Sequence, residues 1–238
     1  MTSKDFFNFI PVDLFLLKVK KLFNFIPPQR ALKATETRSP LKAFFEGNDT
    51  IHFSMMDQEG NAVVSTQTIN YLFGSGLVAD GTGIVMNDEM DDFATKPGAV
   101  NVFGAVGGKH NLVQPYKTPL SSMSPTLVFK DGRPILAVGT PNGTRILTCV
   151  AQTILNYIGF RRTLFESVAA TRIHHQWYPD QLFIGNPGLN PKVIETLKTM
   201  GHPVQRKEFN CRIQAIAYKK GRLYGVSDPR DEGMSFGE

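Results

Sequence analysis

Cysteine is scarce: Cys149 and Cys211 are the only two among 238 residues. Two cysteines exclude a disulfide-rich scaffold and a four-ligand zinc knuckle. They can pair across the 62 positions between them, but two free buried thiols are the simpler reading, and the redox compartment stays open. Long apolar runs are also missing. The most apolar stretch, 6–26, is broken by Asn8, Pro11, Asp13, Lys18, Lys20 and Lys21, whereas a spanning helix needs about 20 uninterrupted apolar residues. A cleavable leader is a poor fit as well, because the charge follows the apolar stretch and no clear small-residue cleavage site is present. No Gly-Lys-Ser/Thr follows the glycines of 73–83, and no strand–GxGxxG–helix unit surrounds them. Those glycines therefore read as tight turns and not as a phosphate loop.

What is present describes a globular protein. Hydrophobic residues make up 42% of the chain and charged residues 20%, enough apolar side chain for a core and too little charge for wholesale disorder. The net charge of +5 is uneven. Residues 1–33 hold six basic side chains against Asp5 and Asp13, which is four of the five surplus charges. The body is nearly neutral, so nucleic acid is not an expected partner.

Within the basic stretch, Val12, Phe15, Leu16, Val19, Leu22, Phe23 and Ile26 recur at helical spacing between Pro11 and Pro27-Pro28. Such a helix over 11–26 has the chemistry to lie on an anionic membrane. Packing on its own domain is the simpler reading, since amphipathicity is the ordinary state of helices. FNFIP occurs at 7–11 and 23–27, which is too little for a repeat architecture. Residues 28–49 are polar, with scattered Pro and Gly, and read as a linker.

From residue 50 the pattern changes. The alternation of 50–57 and 62–70 around QEGN predicts a hairpin. Segments 126–129 and 134–138, and again 213–218 and 223–227, predict two more. Helices are predicted over 144–158, 164–172 and 191–200. Antiparallel pairs with segregated helices make an α+β layered fold and not a doubly wound one.

Two clusters carry possible chemistry. Asp88, Glu89, Asp91 and Asp92 lack the spacing of a calcium loop, and carboxylates so placed can equally hold an ammonium group. His174 and His175 are adjacent and point to opposite faces of a strand, so hydrogen-bonded structural roles are expected and not shared ligation of a metal.

Seven segments go further: GNDTIHFS (47–54), TQTIN (66–70), NDEMDDF (87–93), PLSSMSPT (119–126), GTPNGTRI (139–146), TRIHHQWYPDQL (171–182) and YGVSDPR (224–230). In this order they closely resemble the small-subunit, C-terminal half of gamma-glutamyltransferases (glutathione hydrolases), over about residues 31–230. The resemblance implies an N-terminal-nucleophile αββα sandwich, here partial because most of the large-subunit portion is absent. It divides the chain into an unassigned arm (1–30), a linker like the tail of the large subunit (31–49) and a small-subunit-like domain (50–238).

The resemblance also implies roles. The precursor would cut itself between Asp49 and Thr50, leaving Thr50 as nucleophile with its own α-amine as base. Thr68 would orient the Thr50 hydroxyl. Asn70, Glu89 and Asp92 would hold the α-ammonium of the glutamyl group, and Ser121 and Ser122 its α-carboxylate. The backbone N–H groups of Asn142 and Gly143 would form the oxyanion hole, and Phe103 would sit at the centre of a lid over 94–105.

No metal or organic cofactor is implied. The expected substrates are glutathione and other γ-glutamyl compounds, the expected acceptors water, amino acids or peptides, and the expected partner a complementary large-subunit chain. A non-catalytic relic or interaction module, and a poly-γ-glutamate depolymerase-like hydrolase, are the alternatives. Export to the periplasm or cell surface is the expected location. Three positions depart from the family pattern: Asn142 stands for a glycine, Phe103 for a tyrosine of many bacterial members, and DEGMSFGE ends the chain in place of Gly-Tyr.

Overall fold

A computed structural model describes residues 50–209 and 211–237. The arm, the linker and Asp49 lie outside the described residues.

The first hairpin pairs β1 (Thr50–Met56) with β2 (Ala62–Thr68), antiparallel, with Thr50 opposite Thr68 and Met56 opposite Ala62. Asp57 closes the turn by accepting from the Gly60 and Asn61 amides, each at 2.8 Å. Strand alternation then sorts the side chains. Thr50, His52 and Ser54 share one face; Ile51, Phe53 and Met55 share the other.

A four-stranded antiparallel sheet has the order β11-β10-β6-β5, with β5 (Thr126–Lys130), β6 (Arg133–Gly139), β10 (Gln214–Lys219) and β11 (Arg222–Ser227). Its two central strands come from distant parts of the chain: Gln214 pairs with Gly139 and Ala217 with Leu136. The hairpin packs on one face of β6 and β10. The fit is close at one point, where the His52 ring fills the space a side chain at 139 would need, so only glycine serves there. On the other face lie α1 (Arg145–Ile154), which runs on into a π-helical turn at Leu155–Gly159, and α2 (Leu164–Ala169). Thr163 begins α2 with a capping box, its hydroxyl accepting from the Glu166 amide while the Glu166 carboxylate accepts from the Thr163 amide.

The core between sheet and helices is Leu136, Val138, Ile146, Val150, Val168, Ile213 and their neighbours. Cys149 and Cys211 are joined there as a disulfide, with Cα atoms 6.6 Å apart. The reading of two free thiols is therefore corrected. The spacing in sequence carries no information on the distance that decides pairing.

A third sheet orders β7 (Ile173–His174), β8 (Leu182–Ile184) and β9 (Val204–Arg206). The pair β8–β9 is parallel and is connected through α3 (Pro191–Thr199). A purely antiparallel reading missed this unit because strands of two or three residues leave no periodic signal. The glycine-rich stretch is a side excursion: β3 (Val78–Ala79) pairs with β4 (Ile84–Val85) across a turn in which Gly81 and Gly83 have φ of 73° and 70°. This is the glycine-at-turns reading. Among the described residues no helix is long and apolar enough to cross a membrane.

Candidate active site

The site starts from the last residues of the hairpin. Thr50 Oγ1 lies 2.8 Å from Thr68 Oγ1. Thr68 Oγ1 also accepts from the Asn70 amide at 2.8 Å, which leaves its own proton free to point at Thr50. Asn70 turns the chain with a φ of 73°, a conformation asparagine tolerates better than most residues. Its Nδ2 donates to the Asp88 carbonyl at 3.3 Å, and the Tyr71 amide donates to Asp88 Oδ1 at 3.0 Å. These bonds clamp the end of β2 to the acidic segment and carry residues 72–87 out as the excursion.

The four acids divide into two pairs. Asp88 caps the Tyr71 amide, and Asp91 accepts from the Tyr71 hydroxyl, so both are used in construction. Glu89 and Asp92 remain, one turn apart in the short 3-10 helix Glu89–Asp92. Burial pushes the Glu89 carboxyl up to about 7, and the Asp92 and Asp88 carboxylates add to the rise. Burial also raises Asp92. Glu89 Oε1 is buried without a hydrogen-bond partner among the described residues. A carboxyl pair strained in this way is relieved by a cation with N–H donors. Among the described residues no group of three or more His, Cys, Asp or Glu side chains is disposed to hold a metal ion.

The loop after β6 supplies the second half. Asn142 has a φ of 113° and Gly143 a φ of 51°, and their carbonyls accept from the Arg145 and Ile146 amides at 3.1 Å each as α1 begins. A φ of 113° is in the region that favours glycine, so asparagine at 142 holds a strained backbone in which its N–H is retained. Phe103 lies against Gly143, where an added Cβ would stand 2.5 Å from the ring. The same ring meets Tyr71 at 5.7 Å between centroids, tilted by 50°. Contacts thus run continuously from Thr50 through Thr68, Asn70, Tyr71 and Phe103 to Gly143. Ser121 and Ser122 are placed apart from this chain of contacts: Ser121 Oγ accepts from the Met123 amide, and the Ser122 carbonyl accepts from the Ser124 hydroxyl.

Two histidines have structural placements. His174 is buried between Thr148 Oγ1 and Gln176 Oε1, each at 2.9 Å, and His175 Nε2 lies 3.0 Å from Asp180 Oδ1. Sequence reasoning passed over His52, although alternation places it on the Thr50 face. It bridges Thr66 Oγ1 at 2.7 Å and Ser54 Oγ at 3.1 Å, and burial lowers it to about 4. It is neutral at physiological pH, and its ring packs against Gly139 of the sheet. Tyr71 and Gln176 were also passed over, and only their tertiary partners reveal them.

Comparison with known proteins decides the family. A profile described as Gamma-glutamyltranspeptidase matches residues 16–237, starting inside the basic N-terminal stretch. The chain belongs to the gamma-glutamyltranspeptidase family. The glutathione hydrolase proenzyme of Escherichia coli is 44% identical over 212 residues, covering 89% of this chain and 36% of that protein. The chain therefore spans about a third of the length of such relatives. Scoloptoxin SSD20 of Scolopendra dehaani is 39% identical over 175 residues, which is 73% of this chain and 88% of that one. Among solved structures, the T380A mutant of the Helicobacter pylori gamma-glutamyltranspeptidase aligns with a TM-score of 0.72 at 44% identity, over 76% of this chain and 99% of that chain. The enzyme from Pseudomonas nitroreducens, in complex with L-DON, gives 0.73 at 44% identity, over 79% of this chain and 98% of that chain. The fold of residues 50–237 is that of the gamma-glutamyltranspeptidase chains it matches, an N-terminal-nucleophile hydrolase fold.

Proposed function

We propose that this chain is the catalytic, small-subunit portion of a gamma-glutamyltransferase, activated by a cut between Asp49 and Thr50. The observation that carries this reading is the 2.8 Å contact between the hydroxyls of Thr50 and Thr68, with Thr68 itself fixed by the Asn70 amide. A threonine hydroxyl needs a base nearby to act as a nucleophile. In the uncut chain the Thr50 nitrogen is an amide and cannot serve. Once freed it is an α-amine titrating near ~7.7–8.0, against ~10.4 for lysine, so much of it is neutral at physiological pH.

The remaining roles are those that the family resemblance implies. Glu89 and Asp92, with the Asn70 side chain, take the α-ammonium of a γ-glutamyl donor. Ser121 and Ser122 take its α-carboxylate. The Thr50 oxygen attacks the γ-carbonyl, its proton passes to the α-amine, and the backbone N–H groups of Asn142 and Gly143 receive the oxyanion. One such donor is worth about 10²–10³ in rate. The amine leaves with that proton, and water or an amino acid or peptide then takes the glutamyl group from the ester.

A complementary large-subunit chain belongs to this reading. The outward face of the hairpin leaves Ile51, Met55 and Val63 exposed by 59%, 54% and 50%, an apolar surface suited to a covering layer. The buried disulfide fits an oxidising compartment, in keeping with the periplasm or cell surface.

Sequencing the N-termini of the purified chain, alone and with a complementary chain, tests the proposal. A fragment beginning at Thr50, γ-glutamyl-anilide turnover, and loss of both in Thr50→Ala are expected. Turnover unchanged in Thr50→Ala overturns it. A second reading, an interaction module without catalysis, is favoured by one observation: Scoloptoxin SSD20 is itself a short chain, of which this one covers 88%. An uncut chain without turnover under both conditions would support that module.

A further inference from the structure

Gln176 sits where three elements meet: the start of α1, the end of β7 and the loop 101–105 that carries Phe103. Its amide is used at both ends. Nε2 donates to the carbonyls of Gly104 at 3.0 Å and Tyr178 at 3.1 Å, with the Phe103 carbonyl at 3.4 Å. Oε1 accepts from Thr144 Oγ1 at 2.8 Å and faces His174 Nε2 at 2.9 Å. The orientation is unambiguous, because the reversed amide would set an acceptor against three carbonyl oxygens. His174 is fixed in turn by Thr148 Oγ1 at 2.9 Å, so the network is anchored on α1 at two points one turn apart.

The loop depends on this anchor. Asn101 Oδ1 accepts from the Phe103 and Ala105 amides at 3.1 and 2.9 Å, which makes the tip a tight turn with its own shape. That turn does not tell the loop where to sit. Val102 and Val106 at its flanks are exposed, and a groove of about 340 Å³, lined by Ala105, Val106, Leu147 and Trp177, lies beside it. Gly104, with a φ of 75°, comes so close that an added Cβ would be 2.9 Å from Gln176 Nε2. The carbonyl groups that Gln176 holds belong to Phe103 and its neighbour, and the Phe103 ring is the group that covers Gly143.

We propose that Gln176 is a positioning residue for the reaction: by holding the carbonyls of residues 103 and 104 to Thr144, it keeps Phe103 seated over Gly143. The effect on turnover rests on the gamma-glutamyl reading above; the effect on the loop does not.

The test uses the full chain and compares the wild type with Gln176→Glu and Gln176→Met. Glutamate keeps the size but turns an acceptor toward the carbonyls; methionine keeps the bulk and removes the bonds. Amide hydrogen exchange is read over 99–107, with 133–139 and 214–219 as internal controls for folding. Both variants should exchange at least tenfold faster over 99–107 with the controls unchanged. Thr144→Val should give a smaller change of the same sign, since it removes one bond to the same amide. In a turning-over preparation kcat for a γ-glutamyl-anilide should fall several-fold in both Gln176 variants, with a smaller change in KM. Unchanged exchange over 99–107 in a folded Gln176→Met overturns the anchoring. Faster exchange with an unchanged kcat overturns the positioning role in the reaction. A wild type that never turns over fails the gamma-glutamyl reading, while the exchange experiment still decides whether Gln176 holds the loop.

Discussion

The Phe103 ring occupies the space that a side chain at Gly143 would need, its Cδ1 only 2.5 Å from where a Cβ would stand. A residue in the loop before β5 and a residue in the loop after β6 are thus fitted to each other. Gly143→Ala should push the ring aside or shift the backbone that presents the 143 amide. If that amide is an oxyanion donor, as proposed, its loss costs about 10²–10³ in turnover. Phe103→Ala should restore part of that loss in the double variant, because the clash is then removed. Steady-state rates of the two single variants and the double variant measure the coupling, and additive effects would count against the fit.

Thr68→Val tests the hydroxyl that touches Thr50. Valine keeps the shape of the strand residue but leaves the Asn70 amide without its acceptor. An orphaned amide costs about 1–3 kcal/mol. Thermal unfolding should show that loss, and turnover should fall further because the Thr50 oxygen is no longer oriented. A variant with normal turnover and a lowered Tm would make Thr68 a structural residue only.

The hairpin was legible from its residues: 50–57 and 62–70 alternate around a turn, and the ladder places Thr50 opposite Thr68. Central strands β6 and β10 were legible for the same reason. Strands β7, β8 and β9 were not, since two or three residues carry no period. At the site, composition and spacing showed the acidic cluster undivided, and only the family resemblance singled out Glu89 and Asp92. The Tyr71 contacts give the physical reason: Asp88 and Asp91 are spent on structure, which leaves Glu89 and Asp92. Gln176 carried no local signal, because each group it bonds lies on another element or is a backbone carbonyl.

On the proposed function, Glu89 gives donor binding a pH dependence. With its carboxyl pushed up to about 7, the group is protonated below that pH and ionised above it. Only the ionised form attracts an ammonium, so KM for a γ-glutamyl donor should fall as pH rises through about 7. A bond to a charged group is worth about 1.5–3 kcal/mol, so Glu89→Gln should raise KM roughly ten- to a hundredfold at alkaline pH and flatten the profile. The same shift has a consequence for stability. The folded form holds the proton more tightly than the unfolded chain, so this contribution is complete at low pH and fades as pH rises from the ordinary carboxylate range to about 7. Thermal unfolding of Glu89→Gln above pH 7 should show a higher Tm than the wild type.

The disulfide between Cys149 and Cys211 closes a segment of 62 residues. The loss of chain entropy in the unfolded state from a loop of that size is about 4 kcal/mol. Cys149→Ala/Cys211→Ala should therefore lower Tm by about 10 °C in a domain of this length. The wild type unfolded under a strong thiol reductant should match the double variant. Equal Tm values for the oxidised wild type and the double variant would show that the bond is absent or idle.

The pairing of β6 with β10 brings residues 133–139 against 214–219, and Asp228 then secures the end of the chain through Arg172 at 2.5 Å and the Ile213 amide at 3.1 Å. In a polypeptide made from its N-terminus, β6 thus exists long before β10 does. The domain cannot close until Asp228 has been added, and a nascent chain halted earlier would present β6 as an open edge to whatever chaperone attends the ribosome.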